Sequence, residues 1–168
     1  RFGAPLLERE PAAARSGAVT LVLLPAHVEA LRRHGEADYP SEACGLIGGL
    51  VADDRKTAVT LVPLVNKRQD SARNRYLIDP ESFLRAQKAL DRDGLDVIGV
   101  YHSHPDHSPR PSAYDREHAW PRLSYVIVAV ARGKAGEARS WILSDDREAL
   151  DEEPITVDER KAIWQSQS

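Results

Sequence analysis

The most restrictive feature of the chain is the run Val97-Ile98-Gly99-Val100-Tyr101, followed without a break by HSHPDHSPRPSAYD over 102–115. Apolar, β-branched and aromatic residues in so short a run read as a buried strand, and the two-residue period of a strand turns His102 and His104 to the same side. Pro105, Pro109 and Pro111 exclude a helix and break a strand ladder, so the segment after the strand reads as loop until Ser112. There SAYD has the form of a capping box opening a helix, which places Asp115 in the first helical turn.

Two neutral imidazoles and a carboxylate form a three-ligand set that suits zinc, and three protein ligands leave a fourth tetrahedral position open, the mark of a catalytic site. Zinc brings the pKa of a bound water to about 7 and polarises carbonyl oxygens. Such chemistry also needs a proton carrier. Glu42 in YPSEACGLIGG is the candidate, an acid at the lip of a second apolar, glycine-bearing strand. His118, one helical turn beyond Asp115, and His107 are rival ligands on spacing alone.

Taken together, Glu42, His102-Ser103-His104, seven residues, Ser112, two residues and Asp115 resemble the JAMM/MPN+ zinc metalloprotease signature, ExnHS/THx7SxxD, at every position. The surrounding text is similar to the small stand-alone prokaryotic members over about residues 18 to 150. The resemblance implies an α/β fold, a mixed β-sheet flanked by helices in the layered MPN (cytidine-deaminase-like) arrangement. It implies Zn2+ held by His102, His104 and Asp115, with Glu42 as general acid/base and Ser112 donating to the tetrahedral oxyanion. Ser112 has a separate structural role as helix cap, and one hydroxyl can both donate and accept.

The same resemblance implies the substrate. JAMM enzymes cleave isopeptide or peptide bonds after the C-terminal Gly-Gly of ubiquitin-like proteins, and a compact prokaryotic member is expected to act on a ubiquitin-like or sulfur-carrier protein of β-grasp fold. A glycine pair suits a recessed metal, because only glycine threads an extended chain past it without a side-chain clash. Family members use an insertion after the third strand to pair with substrate, which makes Lys67, Arg68, Arg73 and Arg75 candidate substrate-binding residues; a solvated basic surface is the plainer reading of the same four.

Other classes fit less well. A scaffold member of the family would lack the ligands this chain keeps. An amidase built on Cys44 would leave Glu42 and Asp115 unexplained, and a lone cysteine in an apolar strand reads as a small core residue. Gly45-Leu46-Ile47-Gly48-Gly49 lacks dinucleotide-site spacing; its glycines fit a bulge or a close approach. A deaminase needs a cysteine-rich ligand set beside its HxE, and this chain has a single cysteine.

A net charge of −3 and a pI near 6.1 give no nucleic-acid or bilayer footprint. One cysteine allows no internal disulfide, consistent with a cytoplasmic protein. No apolar run approaches a membrane span. Residues 1–17 read as a tail or linker, 18–150 as the catalytic domain and 151–168 as a C-terminal extension. With no methionine and Arg1 first, the natural N-terminus is expected to lie upstream.

The remaining patterning predicts a strand over 18–24, a helix from Pro25 to about Gly35, and a hairpin of Cys44 to Val51 with Thr57 to Val65. A polar loop over 66–75 leads to a short strand at 76–78. Asp79-Pro80-Glu81 opens a helix that Gly94 ends, with Phe83, Ala86 and Leu90 as its core stripe. Beyond the metal loop the pattern gives a helix over 112–119, a central strand over 124–131 buried on both faces, a turn over 132–136 and a strand over 137–143. An edge strand is expected at 154–157, with Ile163 and Trp164 docking back onto the core.

Overall fold

The structure, a computed structural model, describes residues 19–68 and 75–159. Among these, the chain runs β1 (Thr20–Leu23), α1 (Pro25–Asp38), β2 (Cys44–Ala52), β3 (Arg55–Leu64), α2 (Pro80–Arg92), β4 (Asp96–Pro105), α3 (Ala113–His118), β5 (Ser124–Ala131), β6 (Lys134–Leu143), β7 (Leu150–Glu153) and β8 (Ile155–Val157). The strands form a mixed sheet in the order β7-β6-β5-β4-β2-β3-β1-β8, flanked by helices as expected. A single residue, Pro154, separates β7 from β8, although they occupy opposite ends of that order. One residue spans less than about 4 Å, so the two edges must meet and the sheet is curled. The carbonyl of Pro154 accepts from the amide of Leu21 (2.9 Å), fastening the junction to β1.

Alternation along the strands sorts the core onto two faces. Leu21, Leu23, Ile47, Ile98, Tyr101, Val126, Val128 and Val130 pack with Leu31 of α1 on one face. Leu46, Val100, Tyr125, Ile127, Trp141 and Leu143 pack with Ala86 of α2 and Ala119 beyond α3 on the other. In β4 the alternation changes phase at Ile98-Gly99, where Gly48 pairs with Val97 and Ile47 with Gly99. This bulge sets His102 and His104 on the α2/α3 side and Tyr101 on the α1 side.

Several boundaries differ from the sequence expectation for identifiable reasons. Helix α1 runs past Gly35 to Asp38. A Cβ at Gly35 would lie 3.0 Å from Val130 Cγ2 and 3.3 Å from Ser103 Cβ, so this glycine serves helix-to-sheet contact and not termination. Strand β4 continues through both histidines to Pro105, because those residues pair with β5 up to Pro105 opposite Val130. The proline is tolerated as the last residue of the strand. The turn before β6 is only Arg132-Gly133, both at positive φ (50° and 81°), the two-residue hairpin geometry that matches strand twist. Residues 76–78 contribute one bridge, Asn66 to Ile78, in place of a strand. The acidic stretch beyond Asp145 supplies β7 as well as the expected edge strand β8.

The other expected elements appear as read. The hairpin of β2 and β3 turns at Asp53 (φ 54°). Asp79 caps α2 by accepting from Ser82 N (3.0 Å), and Gly94 at φ +71° follows its end. Strand β5 is buried on both faces but lies third from one edge of the order. Ile163 and Trp164 lie outside the described residues. No helix among the described residues is long and apolar enough to cross a membrane.

Candidate metal centre and active site

At the end of β4 the period-two arrangement points both imidazoles toward the start of α3. His102 Nε2 and His104 Nε2 are 3.1 Å apart, and Asp115 Oδ1 and Oδ2 lie 3.2 and 3.5 Å from them. All three residues are buried, and their ligand atoms fall within 4.8 Å of one another, the one such group of histidine, cysteine and acid donors found among the described residues. Ser112 caps α3 as expected: its Oγ accepts from Asp115 N (3.2 Å), while its amide and hydroxyl donate to Asp115 Oδ2 (2.6 and 2.8 Å). The capping box thus aims the other side of the carboxylate at the histidines.

The donor set fits a divalent cation. His104 Nδ1 faces the Ser108 carbonyl at 2.9 Å, which can only accept, so the ring proton sits on Nδ1 and Nε2 presents a lone pair to the centre. Burial pushes the His102 pKa down, toward the neutral, ligating form. For Asp115, burial works against ionisation, but His102, His104 and the Ser112 amide outweigh it and hold the carboxyl well below the usual range. Burial likewise opposes charge on His104, yet the Asp115 and Ser108 oxygens raise its pKa. The three groups together draw positive charge to the point they share. His102 Nδ1 has no hydrogen-bond partner among the described residues. Its ring is held by stacking on Tyr76, centroid to centroid 4.5 Å at 26°.

The rival ligands are elsewhere. His118 turns back on its own helix, Nδ1 to the Tyr114 carbonyl at 2.8 Å, and exposed His107 lines the cleft outside the cluster. Cys44 is fully buried, its thiol pushed up to about 12 by burial and then by Asp38 and Glu42. Its sulfur faces the Leu64 carbonyl at 3.8 Å. A thiol so held supplies no thiolate, and Cys44 is a core residue.

Glu42 lies just before β2, only 3 % exposed. It borders two clefts, one lined also by His34, Asp38, Pro63, Leu64 and Arg68, the other by His104, His107, Arg110 and Ser112. Burial raises its pKa to about 8, against an opposing contribution from His104 and with a further rise from Asp115. A carboxyl poised near neutrality can both take and return a proton.

What holds Glu42 in place was not assigned from the sequence. Ser103, between the two histidines but on the opposite face of β4, clamps the next residue: its Oγ accepts from Ala43 N (2.9 Å) and its amide donates to Ala43 O (3.0 Å). Asn66 donates from Nδ2 to Glu42 O (3.0 Å) and Arg75 O (3.1 Å), while its Oδ1 accepts from the amides of Arg68 and Leu77 (both 3.0 Å). One amide side chain therefore ties the base of the basic loop to the backbone of Glu42. A lone asparagine before a polar loop carries no sequence signal for such a role beyond its turn chemistry.

The basic residues divide. Arg68 lines the first cleft beside Glu42, and the Arg75 guanidinium lies 5.0 Å from the Tyr114 ring centre on α3. Exposed Lys67 acts on Asp79 at the start of α2. Arg73 lies outside the described residues.

A curled mixed sheet carrying a buried His-His-Asp centre beside a cleft acid defines the class: a domain built around a candidate metal-hydrolase site. The chain belongs to the Prok-JAB family, the prokaryotic homologs of the JAB domain, whose model matches residues 24–144. It is 40% identical over 99 residues to a desampylase of Haloferax volcanii, covering 58% of this chain and 69% of that one. It is 32% identical over 149 residues to the CysO-cysteine peptidase of Mycobacterium tuberculosis, covering 87% and 97%. A Desulfitobacterium hafniense protein of known solution structure superposes with a TM-score of 0.73 at 33% identity, over 83% of this chain and 93% of that one.

Proposed function

We propose that this chain is a zinc-dependent peptidase or isopeptidase that hydrolyses the amide bond after the C-terminal Gly-Gly of a ubiquitin-like or sulfur-carrier protein of β-grasp fold. The observation that carries the reading is the convergence of His102, His104 and Asp115 beside a cleft in which Glu42 is the neighbouring acid. The names of the relatives, a desampylase and a CysO-cysteine peptidase, support the substrate class.

His102, His104 and Asp115 would hold the ion, which when bound supplies water activation and polarisation of the scissile carbonyl. Glu42 takes a proton from the attacking water on its carboxylate and returns it to the departing amine nitrogen. Its backbone, fixed through Ala43 by Ser103 and directly by Asn66, gives the carboxylate a stationary origin. Ser112 donates to the oxyanion; its one hydroxyl proton is directed at Asp115 Oδ2, so it must rotate, and the Ser112 amide stays behind to satisfy that oxygen. Arg68, which lines the first cleft with Glu42, would meet the incoming tail. Lys67 and Arg75 would act at longer range, and Arg73 remains in the proposal as a member of the same basic loop.

The test is turnover of a β-grasp protein extended beyond Gly-Gly, with and without chelator and zinc add-back, and metal quantified on the same sample. Chelator-sensitive cleavage after the glycines with about one zinc per chain is the expected result. Metal-independent cleavage, or no zinc retained, would overturn the reading.

A further inference from the structure

The cleft on the His104 side of Glu42 contains a cation that the chemistry above does not use. Arg110 lines it with His107, Ser108, Pro111 and Ser112. Glu42 is the one carboxylate in that lining, and Arg110 makes no hydrogen bond or ion pair among the described residues. The nearby acid, Asp106, is engaged elsewhere: Oδ2 accepts from Tyr39 Oη (2.9 Å) and Oδ1 from Arg132 N (2.8 Å). The turn presenting Arg110 is pinned at three points. Asp106 N donates to Val130 O (2.8 Å), Ser108 O meets His104 Nδ1 (2.9 Å), and Pro109 O accepts from the buried Trp141 indole (2.9 Å). A guanidinium on a fixed turn, with no ion-pair partner among the described residues, is a receptor for a planar anion.

We infer that Arg110 recognises a free carboxylate on the leaving side of the scissile bond, so that the preferred leaving group is an amino acid or C-terminal residue bearing its own α-carboxylate and not a lysine side chain within a folded protein. The inference rests on the proposed amide hydrolysis. Glu42 borders both clefts, so a bond reacting beside it has one half in each. The first cleft follows the end of β3 and holds Arg68 and the loop base, the side taken by the tail in the proposed reaction. The second is bounded by the pinned turn that presents Arg110, the side left for the departing amine. An amine leaving there carries its carboxylate two bonds from the nitrogen that Glu42 protonates, within the cleft that Arg110 lines. His107, exposed in the same lining, offers a ring N–H as a further donor.

The experiment uses the zinc-loaded full chain and two β-grasp substrates ending Gly-Gly-Ala, one with a free C-terminal carboxylate and one with a carboxamide. The wild type is expected to prefer the carboxylate, and Arg110→Gln to lower the carboxylate-to-carboxamide ratio of kcat/KM about tenfold, mainly through KM, as expected for loss of one charge-assisted pair. Arg110→Lys should restore part of the ratio. Equal losses on both substrates, or none, would overturn the inference. Titration of the peptides Gly-Gly-Ala and Gly-Gly-Ala-amide, followed by NMR shifts at residues 106–112, separates the two levels. If neither protein substrate is cut, the proposed hydrolysis falls. Selective binding of the free acid that Arg110→Gln abolishes would still uphold the carboxylate site, and indifference to the terminal group would remove it.

Discussion

The protein buries two charged clusters, and they are built on opposite terms. On the α1 side of the curl, Lys56 Nζ donates to Glu153 Oε1 (3.2 Å) and Ser124 Oγ (2.9 Å), and Ser140 Oγ donates to Glu153 Oε2 (2.6 Å). Both ions are nearly inaccessible, their charges cancel, and each carboxylate oxygen has a donor from within. Reaching from β3 to β7, the pair ties together strands far apart in the sheet order. On the other side, His102, His104 and Asp115 aim lone pairs and negative charge at one another's neighbourhood, and His102 Nδ1 has no partner among the described residues. A closed cluster holds the fold together; an open one is completed only by something added. Burial of charge alone therefore does not mark a functional site. The direction in which donors and acceptors are left unsatisfied does.

That contrast can be broken experimentally, and the largest effects should fall on the open cluster. Asp115→Ala should abolish zinc binding and with it essentially all chelator-sensitive turnover, read by metal analysis; if His118→Ala does this and Asp115→Ala does not, the ligand set is wrong. Glu42→Gln should keep about one zinc per chain yet lose roughly 10²- to 10⁴-fold in kcat, the range for a general acid/base. Retained activity with lost metal would reject its role. Ser112→Ala should cost roughly 10²-fold in kcat if the hydroxyl serves the oxyanion, whereas a loss of about 1 kcal/mol in stability with normal kcat would leave it only a cap.

The closed cluster should respond in stability and not in chemistry. Glu153→Ala strands Lys56 in the interior and is expected to destabilise by about 3–5 kcal/mol in denaturant unfolding, with zinc stoichiometry unchanged in the folded fraction. The paired replacement Lys56→Met with Glu153→Leu should be near neutral, since apolar pairs of similar volume replace buried ion pairs at little cost. A folded double variant that no longer binds zinc would erase the distinction between the clusters.

Much of the site was legible because it depends on local geometry. A strand's period of two set His102 and His104 on one side, and the Ser112–Asp115 capping box needs only three residues' separation to orient the carboxylate. Glu42 was found by its chemistry and its place in a family pattern, not by proximity. Ser103 escaped notice because the same alternation that displays the histidines hides it on the other face, where its partner Ala43 is 60 residues away. Asn66, 24 residues from Glu42, gives no sign in sequence of joining loop and acid.

The sequence by itself determined the donor types, the shared side of His102 and His104, the caps of α2 and α3, and the strands that would be buried, because each follows from residues within a few positions of one another. The tertiary structure alone decided that β4 runs on through the histidines, that Pro154 brings the two sheet edges together, and that Lys56 meets Glu153, 97 residues distant. Those outcomes depend on which strands become neighbours. That choice minimises buried, unpartnered polar groups over the whole chain, a sum that no local window contains.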